Sequence, residues 1–441
     1  MGQRSTELLI ARPRYVEQLQ KWRSQQDLIK IVTGVRRCGK SKLFYLYQVE
    51  LMKEAAKNKQ KLNIIDINLE DLMKTREIGL EYDKEGFLTD YNKLLDYVVA
   101  RLKPQIMNYV FLDEIQLLRD WQKVANTLRL QDNVDVYLTG SNAYMFSSDL
   151  ANTLGGRYVE IKMQPLSFKE YFDGYHHKAQ HFIKTKKEIE ELNNPVAVYS
   201  HYVKESGFPQ TLDFLYDRQL INDYLMDTVY RNTIQKDIVR RFKISDTNKL
   251  DAVVRYLFDN IGNETSVRNI EKGLKAGSFS VSVPTISTYI QGLIDSYLMY
   301  KCDRYDIKGK QLLENSAKYY VADIGLRTAL LGHEDMDQGH ILENVVYLEL
   351  LRRGYQVSVG KINKGGKNIE VDFVAQKSGG EVEYYQVALY ALDPEVLKRE
   401  LTPLEEIDDN YPKFLLSMDY GSGNTNGIKR MNVLEWLLEL G

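Results

Sequence analysis

The 441-residue sequence is poor in cysteine, histidine and tryptophan, with two, six and three residues respectively. Because Cys38 and Cys302 lie far apart in the chain, we expect neither a disulfide framework nor a zinc site, and a reducing compartment fits this composition. No stretch reaches the roughly 20 apolar residues that span a bilayer, and the N-terminus lacks the apolar segment of a signal peptide. The sequence therefore predicts a cytoplasmic protein without a membrane partner.

The sequence also lacks a strong net charge, because 59 basic and 61 acidic residues give a formal charge of −2. No overall field attracts nucleic acid, so any contact with DNA would need a local basic patch. Apolar residues make up 44% of the chain, which is enough for the cores of two or three domains.

One segment fits the phosphate-binding loop, or Walker A motif, G-x-x-x-x-G-K-[ST]; its residues are Gly34, Val35, Arg36, Arg37, Cys38, Gly39, Lys40 and Ser41. An apolar strand is predicted over 28–33 before the loop, and a helix is predicted from Lys42, which we include in the binding site. The glycines permit a tight turn whose N–H groups face a phosphate. We expect Lys40 to reach the β and γ phosphates and the Ser41 hydroxyl to bind Mg²⁺, so the motif predicts binding of ATP.

A second segment supplies the carboxylates that hydrolysis needs. Residues 109–112 form an apolar strand that ends in Asp113 and Glu114, as in a Walker B motif. We expect Asp113 to hold the magnesium ion and Glu114 to activate the attacking water as a general base. A third strand over 134–139 leads to Asn142, which is a candidate for orienting that water or contacting the γ-phosphate. Ligands gather at the carboxyl ends of strands in open α/β sheets, so these side chains should meet at one edge.

Together these segments resemble the AAA-type ATPases of bacteria and archaea that pair a phosphate-loop domain with a C-terminal domain of unknown function. The matching segments are 34–41, 111–116, 139–143, 154–157 and 164–168. The paired arginines inside the loop, and Gly-Arg followed by Pro-Leu-Ser, are more specific than the loop alone. The resemblance implies a parallel sheet in which the Walker B strand is not the immediate neighbour of the phosphate-loop strand. It also implies that Asn142 is a sensor 1 residue.

Three arginines are candidates for a cation that stabilises charge on the γ-phosphate. Arg157 follows a Gly-Gly turn at the start of a strand predicted over 158–163. An arginine supplied by the same or a neighbouring subunit accelerates phosphoryl transfer by roughly 10³- to 10⁵-fold. The alternative for Arg157 is a surface arginine paired with an acid. Arg36 and Arg37 are further candidates, directed at phosphate or at an adjacent subunit, and a catalytic role in trans would imply a homo-oligomer.

We expect an α/β protein with four regions: an AAA-type ATPase core over 1–172, a helical connector over 173–249, a winged-helix-like domain over 250–334 and a nuclease-like domain over 335–441. His176, His177 and His181 cluster in the connector, but without acidic or thiol partners at fixed spacing they indicate a solvated helix and not a metal site.

The winged-helix prediction depends on two helices and a strand pair, over 267–274, 285–296, 298–302 and 319–322. In DNA-binding versions the second helix enters the major groove and the wing touches phosphate. Here Lys308, Lys310 and Lys318 could supply such contacts, although the second helix has no arginine. A structural or protein-docking role is the alternative.

The C-terminal region resembles the restriction-endonuclease-like core. Glu343 lies on a predicted helix over 341–353, and Asp372 lies on a predicted strand. Gln386 stands where that pattern has a second carboxylate, and Ala388 where it has a lysine. Loss of a ligand and of a cation removes most of the electrostatic catalysis, so we expect no cleavage. Whether Glu343 and Asp372 still hold a metal stays open.

The sequence therefore predicts a Mg²⁺-dependent ATPase whose nucleotide state controls DNA engagement through the C-terminal half. The alternative is a nucleotide-dependent switch that binds a protein partner without nucleic acid.

Overall fold

The computed structural model describes residues 9–143, 154–179, 186–277, 279–332 and 337–439. The chain divides into two compact units, one of Met1–Gln164 with Asp295–Tyr297 and one of Pro165–Ile294 with Leu298–Gly441. The described elements of the first unit are α1 Pro13–Lys21, β1 Ile29–Thr33, α2 Lys40–Asn58, β2 Leu62–Asn68, α3 Leu72–Ile78, α4 Tyr91–Val99, β3 Met107–Asp113, a 3₁₀ turn Ile115–Leu117, α5 Trp121–Arg129, β4 Val134–Gly140 and β5 Tyr158–Lys162.

The first unit is built on a five-stranded sheet in the order β2-β3-β4-β1-β5, and all of its neighbouring strands are parallel. The α/β fold class with a parallel sheet is therefore confirmed. Strand β4 lies between the phosphate-loop strand β1 and the Walker B strand β3, which agrees with the order that the family resemblance implied.

Successive side chains of a strand point to opposite faces of the sheet. Because the central strands carry buried side chains on both faces, helices cover the sheet on both sides. On one face, Phe111 contacts Phe44 of α2 with 5.1 Å between ring centroids and stacks on Tyr137 at 4.8 Å. On the other face, Val110 and Leu112 belong to the buried cluster that also contains residues of α4 and α5. Buried strands held from both sides fix the positions at which their carboxyl ends emerge.

The helices of the second unit include α6 Phe168–Ala179, α7 Lys186–Leu192, α8 Pro195–Glu205, a 3₁₀ segment Pro209–Phe214, a helical run over 218–242 with π-helical turns at Tyr224–Tyr230 and Ile234–Val239, α9 Thr247–Asp259, α10 Val267–Ala276, α11 Val283–Asp295, α12 Ile324–Leu331, α13 Gln338–Arg352, α14 Pro394–Glu405 and α15 Val433–Leu438. His176 bonds to the Phe172 carbonyl at 2.8 Å and lies 3.3 Å from Asn193 Oδ1. His181, the third histidine of the predicted cluster, lies outside the described residues.

The second unit contains an eight-stranded mixed sheet in the order β12-β13-β11-β10-β9-β8-β6-β7. Its strands are β6 Met299–Asp306, β7 Gln311–Val321, β8 Gln356–Lys364, β9 Lys367–Gln376, β10 Val382–Ala388, β11 Lys413–Ser417, β12 Gly423–Thr425 and β13 Ile428–Asn432. Strands β6 and β7 form the antiparallel pair that was predicted as a wing. Because β6 also pairs with β8, this hairpin is the edge of a sheet that crosses the expected boundary between residues 334 and 335, and it is not a free wing.

Candidate nucleotide-binding site

The phosphate loop is a tight cradle that tolerates no side chain at its first glycine. Gly34 and Gly39 have φ angles of 145° and 107°, which favour glycine. A Cβ on Gly34 would lie 1.9 Å from the Met163 carbonyl oxygen, a severe clash. Buried Arg12 braces the loop from outside, since its Nη1 donates to the Cys38 carbonyl at 3.1 Å.

Val35 and Cys38 anchor this loop in the protein interior, since both side chains are fully buried. Burial raises the pKa of the Cys38 thiol, so the sulfur is neutral and packs as an apolar group. Cys302 is likewise a free, buried cysteine. Neither described cysteine therefore serves as an accessible nucleophile.

The loop directs a helix N-terminus and a lysine to the same place. Helix α2 begins at Lys40, two residues earlier than predicted, and no side chain caps its first turn. The buried Lys40 ammonium donates to the Gly34 carbonyl at 2.9 Å and the Val35 carbonyl at 3.2 Å. Uncapped N–H groups, the helix dipole and this cation together form an anion-binding arrangement.

The remaining polar residues of the motif differ in their surroundings. Arg36 is largely buried and forms an ion pair with Glu70 at 3.6 Å. Arg37 is exposed and adopts a left-handed backbone with φ 67°. Lys42 is exposed on the first turn of α2. Of the two arginines, Arg37 is therefore the one that solvent reaches freely.

The carboxyl end of β3 brings Asp113 against the neighbouring strands. Thr139 Oγ1 donates to Asp113 Oδ1, and Asn68 Nδ2 donates to Asp113 Oδ2 at 3.0 Å. Burial, and next the charge of Glu114, raise the pKa of Asp113, while hydrogen bonds from Ser41 and Thr139 act in the opposite direction. Ser41 and Asp113 thus present adjacent oxygen atoms, the ligand type that Mg²⁺ prefers.

Glu114 lies beside Asp113 in a left-handed conformation with φ 54°. Its backbone N–H donates to Thr139 Oγ1 at 2.8 Å, so Thr139 links the two acidic residues. Its carboxylate accepts a hydrogen bond from Gln116 Nε2. Asn142 comes two residues after β4, the parallel neighbour of β3, and is buried.

Arg157 is not brought to this edge. Its carbonyl accepts from the Ile29 N–H at 3.0 Å, and Tyr158 after it pairs with Ile29 at the start of β1. The phosphate loop follows the far end of the same five-residue strand, ~16 Å away at about 3.3 Å per residue. A role for Arg157 over the γ-phosphate of its own subunit therefore does not fit this placement, which corrects our cis alternative.

In the second unit, Lys318 corrects another expectation. This residue, predicted as a DNA contact, is only 4% exposed. Its ammonium bonds to Glu343 at 2.7 Å and to Glu370 at 2.9 Å. Burial alone would lower the pKa of Lys318, but the neighbouring carboxylates outweigh it and the net pKa lies above its usual range.

Asp372 and Gln386 lie together next to this cluster. Asp372 Oδ2 accepts from the Val387 N–H at 2.8 Å, and Gln386 Nε2 donates to Glu400 at 3.2 Å. Burial, and next the Glu343 charge, raise the pKa of Asp372 well above its usual range. Within the described ranges, no group of three or more His, Cys, Asp or Glu side chains is arranged to hold a metal ion. A lysine from β7 supplies positive charge to this cluster instead.

Sequence reasoning did not assign roles to Arg12, Asn68, Gln116 or Thr139. Thr139 and Gln116 lie inside the motif segments 139–143 and 111–116, so their polar side chains near strand ends were a signal that could have been used. Arg12 and Asn68 are far from the motifs in the chain, and only the folded structure brings them to Cys38 and Asp113.

Comparisons with known proteins agree with this geometry. A family model described as an AAA domain matches residues 26–172, and a model of a domain of unknown function, DUF8612, matches residues 197–337. An uncharacterized protein of Haemophilus influenzae is 35% identical over 432 residues, which cover 98% of this chain and 99% of that protein. An uncharacterized protein of Methanocaldococcus jannaschii is 29% identical over 421 residues, covering 93% and 86% respectively.

Among solved structures, a Walker-type ATPase of Pyrococcus abyssi superimposes with a TM-score of 0.50 at 14% identity, covering 74% of this chain and 97% of that one. This likeness shows a shared fold. In the part of the chain that the structure describes, no helix has both the length and the apolarity to cross a membrane.

Proposed function

This chain belongs to the family of the Haemophilus influenzae protein that it matches along nearly its whole length, and from its AAA domain we propose that it binds ATP with Mg²⁺ and hydrolyses it. The observation that carries this proposal is the meeting of Lys40, Asp113 and Glu114 at the carboxyl edge of one parallel sheet. A structural turn would need neither the buried lysine nor the two acids.

ATP binding is supported by the loop and the first turn of α2. The phosphates would replace the Gly34 and Val35 carbonyls as partners of the Lys40 ammonium, and the loop N–H groups would bond the phosphate oxygens. Ser41 and Asp113 would hold the magnesium ion, whose charge offsets that of the phosphates. A cation here also favours the ionised form of Asp113, against the raised pKa that burial causes.

In the proposed hydrolysis, Glu114 is the general base. The attacking water gives a proton to the Glu114 carboxylate while its oxygen bonds to the γ-phosphorus. The bond from that phosphorus to the bridging oxygen breaks, which yields ADP and phosphate. Asn142 lies at the same edge and would orient the water or contact the γ-phosphate.

Two substitutions test these assignments by separating binding from chemistry. Lys40→Ala should abolish binding of a fluorescent ATP analogue, because the buried ammonium at the first turn of α2 is removed. Glu114→Gln should bind ATP normally but lose ~10²- to 10⁴-fold in turnover, the range of a general base. Lys53→Ala, an exposed site later on α2, is the matched control. Full turnover in Glu114→Gln would refute the Walker B assignment.

We further propose that the nucleotide state controls engagement of DNA through the C-terminal half. Lys308 and Lys310 are exposed on the turn between β6 and β7. Lys310 also borders a cleft of about 510 Å³ whose lining includes Tyr305 and Tyr411, and lysines beside aromatic rings suit nucleic acid. Replacing both lysines by glutamine should lower the salt dependence of DNA binding by about two counterions.

A protein partner without nucleic acid is the second candidate, and the burial of Lys318 favours it by removing one expected DNA contact. Tyr390, Leu392 and Tyr420 are 62%, 71% and 85% exposed on the loops after β10 and β11. The Met418 N–H bonds to the Leu389 carbonyl at 3.0 Å and joins these loops. Large exposed apolar side chains on connected loops are typical of contact surfaces.

ATP turnover with and without duplex and single-stranded DNA separates the two candidates. Stimulation by DNA that disappears in Glu114→Gln supports nucleic-acid coupling. Turnover that is sensitive to the mutation but indifferent to DNA supports the protein-partner switch.

A further inference from the structure

Gln116 is the polar side chain in direct contact with the proposed base. It lies in the 3₁₀ turn that follows Glu114, and its Nε2 donates both to Glu114 Oε2 and to Ser141 Oγ, the latter at 3.2 Å. Ser141 is fully buried and immediately precedes Asn142. One amide therefore connects the carboxylate after β3 with the residues after β4.

These contacts restrict the Glu114 carboxylate. The Glu114 backbone is held by Thr139 Oγ1 at 2.8 Å, and its side chain is held by the Gln116 amide. A hydrogen bond to an ionised acceptor is about twice as strong as one between neutral groups. Oε2 is bonded to Gln116, whereas the other carboxylate oxygen, Oε1, accepts no such bond from the part of the chain that the structure describes.

The other end of the Gln116 amide, its Oε1, is buried and lacks a hydrogen bond among the described residues. A buried acceptor of this kind destabilises the structure unless a donor reaches it. A water next to Glu114 has two protons, one for the base and one for such an acceptor.

We propose that Gln116 is a positioning residue for ATP hydrolysis, which holds Glu114 by its Nε2 and offers its Oε1 to the attacking water. This inference rests on the proposed ATPase function. The hydrogen bond to Ser141 orients the amide plane, so that Nε2 is directed at Glu114 and Oε1 at the water. Gln116 orients Glu114 and the attacking water by hydrogen bonds and takes no proton itself.

The test is Gln116→Met, which keeps the length of the side chain and removes both polar ends. We expect kcat to fall about 10- to 100-fold, a part of the 10²- to 10⁴-fold that a general base supplies. The KM for ATP and the affinity for a fluorescent ATP analogue should stay within about two-fold, because an interaction of the transition state alone is lost. Ser141→Ala should give a smaller loss with the same pattern.

Gln131→Met is the matched control, since Gln131 is exposed in a loop after α5. Unchanged kcat in Gln116→Met, or a parallel loss of kcat and ATP affinity, would overturn the proposal, the second result indicating a structural role. If Gln116→Met does not fold, Ser141→Ala replaces it: a lower kcat at unchanged KM supports the proposal, and an unchanged kcat or a parallel loss of kcat and ATP affinity overturns it. Wild type and Glu114→Gln are assayed in parallel to test the ATPase function separately. That function is refuted only if these two proteins are equally active or both inactive.

Discussion

Lys318→Met should strongly destabilise the second unit. Lys318 is 4% exposed and neutralises Glu343 and Glu370, at 2.7 Å and 2.9 Å. Methionine keeps the apolar stem of the side chain but removes the charge. The variant then has the buried Glu343 carboxylate without its cation, whereas the partly exposed Glu370 keeps its ion pair with Lys361. Removal of one partner of a buried ion pair has a cost of about 3–5 kcal/mol.

A second route to the magnitude gives a similar value. The variant can relieve the excess negative charge by protonating one carboxylate. From a reference carboxyl pKa of about 4.3, protonation at pH 7 has a cost of ~3.7 kcal/mol, and at pH 5 of only ~1 kcal/mol. We therefore expect a loss of about 3–4 kcal/mol in the free energy of unfolding at pH 7, and a much smaller loss at pH 5.

The assay can be restricted to the second unit because its only tryptophan is Trp436, while Trp22 and Trp121 belong to the first unit. Trp436 is buried, with its ring centroid 5.8 Å from that of Tyr385. Urea unfolding is followed by tryptophan fluorescence, and parallel Trp436→Phe samples identify the signal of the second unit.

Lys310→Met is the control, because Lys310 is exposed and a surface substitution changes stability by about 0.5 kcal/mol or less. The double variant Lys318→Met with Glu343→Gln should recover part of the loss, since one unpaired carboxylate is removed. A loss below ~1 kcal/mol at pH 7, or an equal loss at pH 5 and pH 7, would refute the reasoning.

Three further predictions concern single side chains. Thr139→Val removes the hydroxyl that joins Asp113 to the Glu114 N–H, so ATP turnover should need more Mg²⁺ and the first unit should lose about 1–3 kcal/mol; an unchanged Mg²⁺ titration would contradict this. Arg157→Ala should remove only the part of ATP turnover that rises with protein concentration, because Arg157 lies far from its own phosphate loop; an equal loss at every concentration would exclude a role in trans. Asp372 has a raised pKa in the folded state, so its contribution to stability is complete below about pH 3.9 and is lost as the pH rises through the folded-state pKa. The urea midpoint of the second unit should therefore fall more from pH 4.5 to pH 7.5 in the wild type than in Asp372→Asn, and equal slopes would contradict the assignment.

The parallel sheet of the first unit was predictable because its signals are local. A strand, a glycine loop and a helix N-terminus lie within a few residues of one another around Gly34 and Lys40, so backbone geometry and neighbouring residues specify the element. The strand before Asp113 and the strand before Asn142 were readable for the same reason. Parallel strands end at a common edge, so the sequence also predicts that these residues lie near one another.

The wing prediction shows that local sequence patterns identify strands but not the sheet to which they belong. The two strands around Lys310 were identified correctly, but β8, the second partner of β6, begins about 50 residues after β6 ends. A strand with unpaired backbone N–H and C=O groups can pair with many other strands, and its own sequence does not specify which one. Only the tertiary structure decided that this hairpin belongs to a sheet.

The sequence by itself determined the phosphate loop, the acids Asp113 and Glu114, and the absence of a lysine at position 388. The tertiary structure decided which charges share a site, since it brought Lys318 to Glu343 and separated Arg157 from Lys40. The physical reason is that backbone patterns repeat over two to four residues, whereas electrostatic contacts depend on distances between side chains that are remote in the chain.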